Sequence, residues 1–186
     1  ATASKAFPDV DPKSPEFKTL RFLGKSTNFA KNYGATTKAL MEQFGFDKPT
    51  AEALNQGYYD AFPKVLDYQK LVTQTFHRRG FVKNRYGRRY YLTDKRFVYR
   101  LYNYIIQGTC ADMLKHKILE VDKLLLPYKS RFQMNIHDEL SFEIYKGEEF
   151  LIPAIKKIME DVDWMTVPVV ADVEVTKTNW AEKENV

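Results

Sequence analysis

The stretch FQMNIHDELSFEI, residues 132–144, alternates apolar and polar side chains on either side of a short polar centre. Apolar residues stand at 132, 134 and 136, and again at 140, 142 and 144. Opposed residues of an antiparallel pair share a face, so pairing 136 with 140, 134 with 142 and 132 with 144 puts all six on one face. The spacing predicts a β-hairpin with His137, Asp138 and Glu139 at its tip.

The predicted turn has unusual chemistry. A three-residue hairpin loop usually contains glycine, and His137, Asp138 and Glu139 provide none. Adjacent carboxylates repel each other unless a cation lies beside them, and Mg²⁺ binds carboxylate and phosphate oxygens. Two such ions can drive an in-line phosphoryl displacement. Two interpretations stay open, a metal-binding turn and an ordinary polar turn, in which aspartate is common.

Outward from this hairpin, the chain divides into a helical first part and a mixed second part. After an irregular segment over 1–14, helices are predicted at about 15–33, 36–44, 49–61 and 63–79. The remainder is predicted to form a hairpin over 81–92, a long helix over 96–125, the 131–144 strand pair, a helix over 147–160 and a strand over 167–175. This order predicts the α+β class, with a helical subdomain over 1–80 joined to a part over 81–186 that combines strands and helices.

The first predicted helix contains RFLGKSTNFAKNYG, residues 21–34, whose GKST resembles the end of a nucleotide-binding P-loop. A P-loop requires a glycine five positions before Gly24, where Thr19 stands, and no apolar strand precedes the segment. The segment is better explained as a helix that Ser14 caps and Gly34 ends.

Four residues of this helix recur every four positions and therefore form one stripe: Arg21, Lys25, Phe29 and Tyr33. Two cations four residues apart repel each other slightly. Cations followed by aromatic rings suit a base or sugar attached to phosphates. The alternative is a solvated helix face.

The long helix carries a second polar face, formed by Arg96, Arg100, Asn103 and Gln107. Arginine, asparagine and glutamine contact phosphates and base edges in nucleic-acid complexes. The preceding hairpin adds four cations: Lys83, Arg85, Arg88 and Arg89. The faces together favour a DNA-binding surface, and the alternative is the polar side of an ordinary surface helix.

Composition is consistent with a polyanionic partner. The 186 residues carry a net charge of +5, with a pI of about 9.1, and 44% are apolar. A mildly basic enzyme that binds no nucleic acid is the alternative. The single cysteine, Cys110, excludes an internal disulfide and a cysteine-rich zinc site. No apolar run reaches membrane-spanning length, and we expect no membrane partner.

The sequence resembles the C-terminal part of family A DNA polymerases, the bacterial polymerase I and phage polymerase group. The stripe with Gly34 is similar to motif B of that family, R-x3-K-x3-F/Y-x3-Y-G. Gln107-Gly108-Thr109 is similar to the start of its Q-G-T-A-A-D segment, and His137-Asp138-Glu139 to its motif C. The resemblance implies a helical fingers subdomain followed by part of an antiparallel-sheet palm.

The resemblance also implies roles for single residues. Arg21 and Lys25 would neutralise the phosphates of the incoming nucleotide, Phe29 would lie against its sugar and base, and Tyr33 would lie near the templating position. The implied catalytic set is Lys25, Asp138 and Glu139. Asp138, and more weakly Glu139, would bind two Mg²⁺ ions.

The resemblance also implies a set of residues that contact DNA. Asn103 and Gln107 would read the nascent duplex from the minor groove, and His137 would contact the primer end. The implied set is completed by Gly34, Arg88, Arg89 and Arg100. The family usually has an arginine eight residues before the glutamine, where this chain has Tyr99, and Arg96 or Arg100 would have to replace it.

One family element is missing from this sequence. Motif A, a D-Y-S-Q-I-E-like strand, would supply the second metal-binding aspartate, so this chain alone is not expected to polymerise. We expect a second polymerase chain carrying motif A and the thumb, with primer-template DNA and dNTPs as substrates, in a bacterial or phage-infected cytoplasm. Ala1 at the start fits removal of an initiator methionine, as in the small subunit of a split polymerase, and equally fits cutting from a longer chain.

Two other functions remain open at the level of sequence. One is a catalytically inactive DNA-binding module, against which the presence of Lys25, Asp138 and Glu139 argues. The other is a standalone metal nuclease built on His137, Asp138 and Glu139, which would need more ligands than one turn offers.

Overall fold

The computed structural model describes residues 1–185. These residues form two compact units, which meet in the sequence between Thr109 and Cys110. The first unit contains five complete α-helices: α1 (Thr2–Ala6), α2 (Pro15–Asn32), α3 (Thr37–Phe44), α4 (Lys48–Ala61) and α5 (Pro63–Arg79). An antiparallel pair follows, β1 (Val82–Lys83) and β2 (Arg89–Tyr90). The unit boundary falls inside helix α6 (Arg100–Leu125).

The second unit combines the larger part of α6, from Cys110 onward, with short strands and one further α-helix. Its elements are β3 (Arg131–Ile136), β4 (Glu139–Glu143), α7 (Leu151–Glu160), β5 (Glu174–Val175) and β6 (Glu184–Asn185). Strand β3 pairs with β4, and β5 pairs with β6, both antiparallel. Helices with small antiparallel sheets confirm the predicted α+β class. Because the predicted 80/81 boundary lies inside the first unit, the division into polymerase subdomains stays a prediction.

Local chemistry accounts for the helix ends that the sequence predicted. The Ser14 hydroxyl accepts a hydrogen bond of 3.2 Å from the Phe17 amide, and Pro15 occupies the first helical position of α2. Asp47 caps α4 in the same way, by accepting 3.1 Å from the Thr50 amide. Gly80 ends α5 in the left-handed conformation, with φ of 76°.

Residues 1–14 were predicted to be irregular, and this prediction is wrong for α1. The helix packs against two glycines. A Cβ added to Gly24 would lie 3.2 Å from the Ala3 nitrogen, and one added to Gly57 would lie 2.7 Å from the Ala6 nitrogen. Glycine therefore occurs within GKST because another helix lies against it. A five-residue helix is too short to form without such packing, so its local sequence gives little signal.

The predicted register of the 132–144 hairpin is also wrong. The strands are joined by two residues, with Ile136 opposite Glu139, and a bulge between Phe132 and Met134 shifts the pairing so that Phe132 faces Phe142. The short loop is possible because His137 adopts φ of 55°, a conformation that histidine enters more readily than most residues. The bulge keeps both phenyl rings on one side, 5.7 Å apart.

Three other boundaries differ from the prediction. Helix α6 begins at Arg100, after a 3-10 turn at Lys95–Phe97, instead of at residue 96. Helix α7 begins at Leu151 instead of 147, because Gly147 has φ of 93°, outside the helical region; the Glu148 carboxylate accepts bonds from the amides of residues 129 and 130. The predicted 167–175 strand is limited to Glu174–Val175, in a segment where Pro168 lacks an amide hydrogen.

Each unit has its own apolar core. In the first unit, one cluster joins α5, β1 and α6 through Val72, Phe76, Val82 and Leu101. A second cluster joins α2, α3 and α4 through Ala30, Leu40 and Ala51. In the second unit, α6 and α7 share Val121, Leu125, Leu151 and Ile155, on which the β3–β4 hairpin packs. Among the described residues, none of the helices combines the length and apolarity that crossing a bilayer would require.

Candidate functional site

Helix α2 presents the predicted nucleotide-binding stripe to solvent. Arg21 and Lys25 are exposed, Phe29 is 66% exposed and Tyr33 is 41% exposed. The opposite side of the helix is buried through Phe17, Gly24, Thr27 and Ala30. Large aromatic side chains on a helix normally face the core, so two exposed rings beside two exposed cations mark a surface that a flat, anionic ligand would fit.

Tyr33 links the stripe to the first part of α6. The Gln107 side-chain amide donates a hydrogen bond of 2.9 Å to the Tyr33 hydroxyl. The Phe29 and Tyr33 rings lie 5.2 Å apart with an interplanar angle of 51°. The first unit thus brings together one residue predicted to bind the nucleotide region and one predicted to read DNA.

Gly34 and Tyr99 pack closely where α2 ends. Gly34 has φ of +76°, and a Cβ at this position would lie 2.7 Å from the Tyr99 Cβ. Tyr99 stands where the resemblance implies an arginine, and here its side chain covers the glycine backbone. Of the two arginines considered as replacements, Arg96 binds Asp94 at 2.7 Å, and Arg100 stacks on the Phe97 ring at 4.3 Å.

The predicted DNA-contacting face of α6 divides into an exposed and a buried residue. Gln107 is exposed, whereas Asn103 is only 6% exposed and its Nδ2 atom has no hydrogen-bond partner in the described part of the chain. An unsatisfied buried amide costs about 1–3 kcal/mol. Burial does not test the proposed reading of DNA by Asn103, which stays a prediction.

The β1–β2 hairpin exposes Arg88 and Arg89. Arg89 lies over the Phe81 ring at 4.8 Å. The turn is organised by Asn84, whose side-chain oxygen accepts from the amides of Tyr86 at 3.1 Å and Arg88 at 2.9 Å. Sequence reasoning missed this role of Asn84, although asparagine at the start of a turn is the expected signal.

In the second unit, the β3–β4 loop carries His137 and Asp138, both exposed. The Asn135 side-chain amide donates to the carbonyls of His137 at 3.2 Å and Glu139 at 3.3 Å. These two bonds tie both sides of the loop to Asn135. They help to stabilise the positive φ of His137, a conformation that glycine adopts more readily.

Glu139 has a different environment from Asp138. Its Oε1 atom accepts from the Trp180 indole at 2.9 Å and from the Lys183 ammonium at 3.0 Å. Both bonds lower the pKa of the Glu139 carboxyl, and the bond from Lys183 has the larger effect. Lys183 also binds Glu174 at 2.8 Å, and this bond, with the one to Glu139, raises the pKa of Lys183.

The fit to Mg²⁺ is therefore unequal for the two predicted ligands. Asp138 offers an exposed carboxylate at a loop tip, and Mg²⁺ sites commonly use one or two carboxylates with substrate phosphates. Glu139 already shares one oxygen with a cation and an indole. Residues 1–185 contain no group of three or more histidine, cysteine or acidic side chains that could hold a metal by themselves.

One buried cation, Lys31, was not predicted from the sequence. Lys31, on the buried side of α2, is 4% exposed and donates to the Asn55 side chain at 2.7 Å and the Ala35 carbonyl at 2.8 Å. Its ammonium lies 4.6 Å from the centre of the Tyr59 ring. Burial lowers the pKa of Lys31 to about 8. Its spacing from Thr27 and Gly24 on the buried side was the available signal.

Comparison with known proteins gives a consistent result. The sequence model of DNA polymerase family A matches residues 1–182. The thermostable DNA polymerase I of Thermus filiformis is 30% identical over 183 residues, which cover 93% of this chain and 21% of that protein. The DNA polymerase I of Streptococcus pneumoniae serotype 4 is 29% identical over 160 residues, which cover 80% of this chain and 18% of that protein.

A solved structure agrees in fold. The POL domain of Pol1 from M. smegmatis, in complex with DNA primer-template and dNTP, matches 90% of this chain and 31% of that one. The TM-score is 0.76 and the sequences are 28% identical. The chain spans about a fifth of the length of these curated relatives. A family match over nearly the whole chain confirms the resemblance drawn from motifs B and C: the chain belongs to DNA polymerase family A.

Proposed function

We propose that this chain is the fingers and partial palm portion of a template-directed DNA polymerase. It would supply the nucleotide-binding helix and one carboxylate of the metal site. The observation that carries the proposal is the exposed α2 stripe, whose last residue, Tyr33, is hydrogen-bonded to Gln107. One surface of the first unit thus offers cations, exposed aromatic faces and a glutamine amide.

The stripe suits a deoxynucleoside triphosphate. Arg21 and Lys25 lie one helical turn apart, at the spacing needed to contact successive phosphates with charge-assisted hydrogen bonds. Phe29, one turn further, offers its exposed face to the sugar and base. Tyr33 and Gln107 donate and accept hydrogen bonds at the end of the stripe, where a template or primer base would be read.

Asp138 is the proposed metal ligand of this chain, with Glu139 beside it as the weaker candidate. When bound, two Mg²⁺ ions would neutralise the triphosphate and align the reacting phosphorus for in-line attack. Asp138 would contribute charge from an exposed loop tip, and His137 would lie beside it toward the primer end. The DNA-binding residues proposed with them are Gly34, Arg88, Arg89, Arg100, Asn103 and Gln107.

Catalysis would require polypeptide that carries motif A and the thumb. We propose that a second chain supplies them, as in a split polymerase. The alternative is a longer single-chain polymerase of which these residues are a part, and the one-fifth coverage of the relatives is compatible with it. In either form the substrates are primer-template DNA and dNTPs, and a bacterial or phage-infected cytoplasm is the proposed location.

A complementation assay tests the proposal. The chain is combined with a family A fragment that ends after motif A, and extension of a labelled primer is followed with and without each component. We expect extension only from the mixture. Lys25→Ala should weaken it, whereas Lys38→Ala, at an exposed lysine on α3, should not.

The other outcomes distinguish the alternatives. Duplex binding without extension in any mixture would favour an inactive DNA-binding module. Mg²⁺-dependent cleavage of DNA by the chain alone, lost in Asp138→Asn, would favour a nuclease. Extension by the chain alone would overturn the requirement for motif A.

A further inference from the structure

The motif C carboxylate Glu139 is bound by residues more than forty positions later in the chain. Trp180 and Lys183 both donate to its Oε1 atom, at 2.9 Å and 3.0 Å. Both donors come from one short segment, a 3-10 turn at Trp180–Glu182 and the residue that follows it. Asn179 starts this turn by accepting 3.0 Å from the Ala181 amide.

Lys183 is held by more than one ion pair. It binds Glu139 and also Glu174, at 2.8 Å, and its ammonium lies 4.6 Å from the centre of the Trp180 ring. Its side chain is 21% exposed, against 41% for Glu139 and 43% for Glu174. An isolated surface ion pair contributes about 0.2–1 kcal/mol, whereas a network with fixed geometry contributes more.

The segment that carries both donors is anchored by backbone pairing. Strands β5 and β6 place Glu174 opposite Asn185 and Val175 opposite Glu184. Lys183 directly precedes β6, and Glu174 begins β5, so the strand pair fixes both ends of the Lys183–Glu174 bond. The C-terminal segment is thus held by its own contacts, the β5–β6 pairing and the Lys183–Glu174 ion pair, independently of Glu139.

Contact with Glu139 has a direct consequence for Asp138. The loop has only two residues, and Glu139 is the first residue of β4, immediately after Asp138. The Asn135 amide restrains the same loop through the carbonyls of His137 and Glu139. The bonds from Trp180 and Lys183 to Glu139 therefore limit how far the Asp138 backbone can move. The Lys183 ammonium also reduces the repulsion between the carboxylates of Asp138 and Glu139.

We propose that Trp180 and Lys183 are positioning residues for Asp138. They hold Glu139 on the side of the C-terminal segment, so that Asp138 is the carboxylate of this turn that reaches metal. The proposal rests on the proposed function in one respect, the role of Asp138 as a metal ligand.

The first test observes the chain itself by ¹⁵N NMR. The two indole resonances, of Trp164 and Trp180, are assigned with Trp180→Phe. Glu139→Gln and Lys183→Ala should each shift the Trp180 indole resonance and the backbone amides of His137 and Asp138. Trp180→Phe keeps an aromatic ring and removes only the donor, and it should shift the amides of His137 and Asp138 too. This variant replaces Lys183→Ala in the test if Lys183→Ala does not fold. Lys177→Ala, at an exposed lysine of the same segment, should shift neither.

Manganese then reports on metal position without any turnover. Mn²⁺ should broaden the amides of His137 and Asp138 in the wild type, and Asp138→Asn should remove the broadening. Lys183→Ala removes the cation from Glu139 and leaves only the Trp180 donor, so we expect Glu139 to become available to Mn²⁺ and broadening to extend into β4. Lys183→Arg should restore the wild-type pattern in part.

Activity of the complemented polymerase gives the last comparison. Lys183→Ala should lower kcat about 10- to 100-fold, the usual effect of losing a residue that supports a metal site from outside its ligands, and change KM for dNTP less than about twofold. If hairpin amides, Mn²⁺ broadening and kcat all stay as in the wild type, Lys183 forms only a surface ion pair and the inference is wrong. Normal NMR effects without extension by any mixture would instead refute the proposed function and leave the bonds from Trp180 and Lys183 to Glu139 intact.

Discussion

The Gln107 side-chain amide donates a 2.9 Å hydrogen bond to the Tyr33 hydroxyl across the space between α6 and α2. Both side chains are exposed, and each is proposed to contact DNA or the templating position. A donor bound to tyrosine cannot at the same time use that hydrogen for a minor-groove acceptor. We therefore expect this bond to be exchanged for contacts with DNA when primer-template binds.

Tyr33→Phe tests that exchange. Removing the hydroxyl frees the Gln107 amide, and because both groups are exposed the free energy of unfolding should change by no more than about 1 kcal/mol. Duplex affinity, measured by fluorescence anisotropy, should stay the same or rise. Gln107→Ala should lower it. Equal losses in both variants would mean that the hydrogen bond itself belongs to the DNA-bound state.

Lys25→Ala should weaken nucleotide incorporation. The exposed ammonium of Lys25 is proposed to form a charge-assisted bond to the triphosphate, a contact of about 1.5–3 kcal/mol, which corresponds to roughly a 10- to 150-fold loss in kcat/KM. Single-nucleotide incorporation by the complemented polymerase measures it, with Lys38→Ala as the matched control. Unchanged kcat/KM in Lys25→Ala would remove α2 from the nucleotide site.

Gly57→Ala should destabilise the first unit. Alanine is favoured over glycine within a helix by about 1 kcal/mol, so helix propensity alone predicts stabilisation. The new Cβ, however, would lie 2.7 Å from the Ala6 nitrogen and 2.9 Å from the Thr2 carbonyl oxygen. Because both are backbone atoms, α1 must move, at a cost of about 1–3 kcal/mol. Urea unfolding measures the balance.

The matched control for Gly57→Ala is Glu52→Ala on the exposed side of the same helix, which changes propensity without touching α1. A higher urea midpoint in Gly57→Ala than in the wild type would show that α1 does not pack on α4 in solution.

Lys31 should make stability depend on alkaline pH. Burial lowers its pKa from the usual 10.5 to about 8. Between these values the unfolded chain binds more protons than the folded chain, so stability should rise as pH increases through this window and be constant below it. The total change is on the order of a few kcal/mol.

Urea unfolding at several pH values from about 7 to about 10 checks this slope. Lys31→Met should remove the slope, since the side chain no longer titrates, whereas Lys38→Met, at an exposed site, should preserve it. An identical slope in the wild type and Lys31→Met would place the titrating group elsewhere.

Sequence periodicity correctly predicted those features of the structure that depend on residues close together in the chain. The four-residue spacing of the α2 stripe and the Ser14 cap are local properties, and both are found in the structure. The register of the 132–144 hairpin failed because the conformation of one residue, His137, decided the loop length. Alternation alone does not distinguish a three-residue loop from a two-residue loop with a bulge.

Contacts between distant residues account for what sequence could not predict. Gly24 is required by Ala3, and Glu139 is bound by Lys183, forty-four positions later. Neither contact leaves a periodic signal. The family resemblance predicted that His137, Asp138 and Glu139 form motif C, but it did not reveal that the Glu139 carboxylate is bound to a lysine.

Asp138→Asn should abolish extension by the complemented polymerase. The change keeps the size and shape of the side chain and removes the charge that would hold Mg²⁺ against the triphosphate. The expected loss is several powers of ten in kcat, or at least ~4 kcal/mol of barrier. Single-turnover extension measures it, and Asp122→Asn, at an exposed acid on α6, should behave as the wild type.

Two comparisons make the Asp138 result specific. Duplex affinity of Asp138→Asn should stay close to that of the wild type, because DNA binding is proposed to depend on arginine, asparagine and glutamine side chains elsewhere. Glu139→Gln should lose less activity than Asp138→Asn, since the Glu139 carboxylate is already paired with Lys183. Because an amide at position 138 cannot replace the missing charge, near wild-type extension by Asp138→Asn would mean that the His-Asp-Glu turn has no catalytic part, whatever the family of the chain.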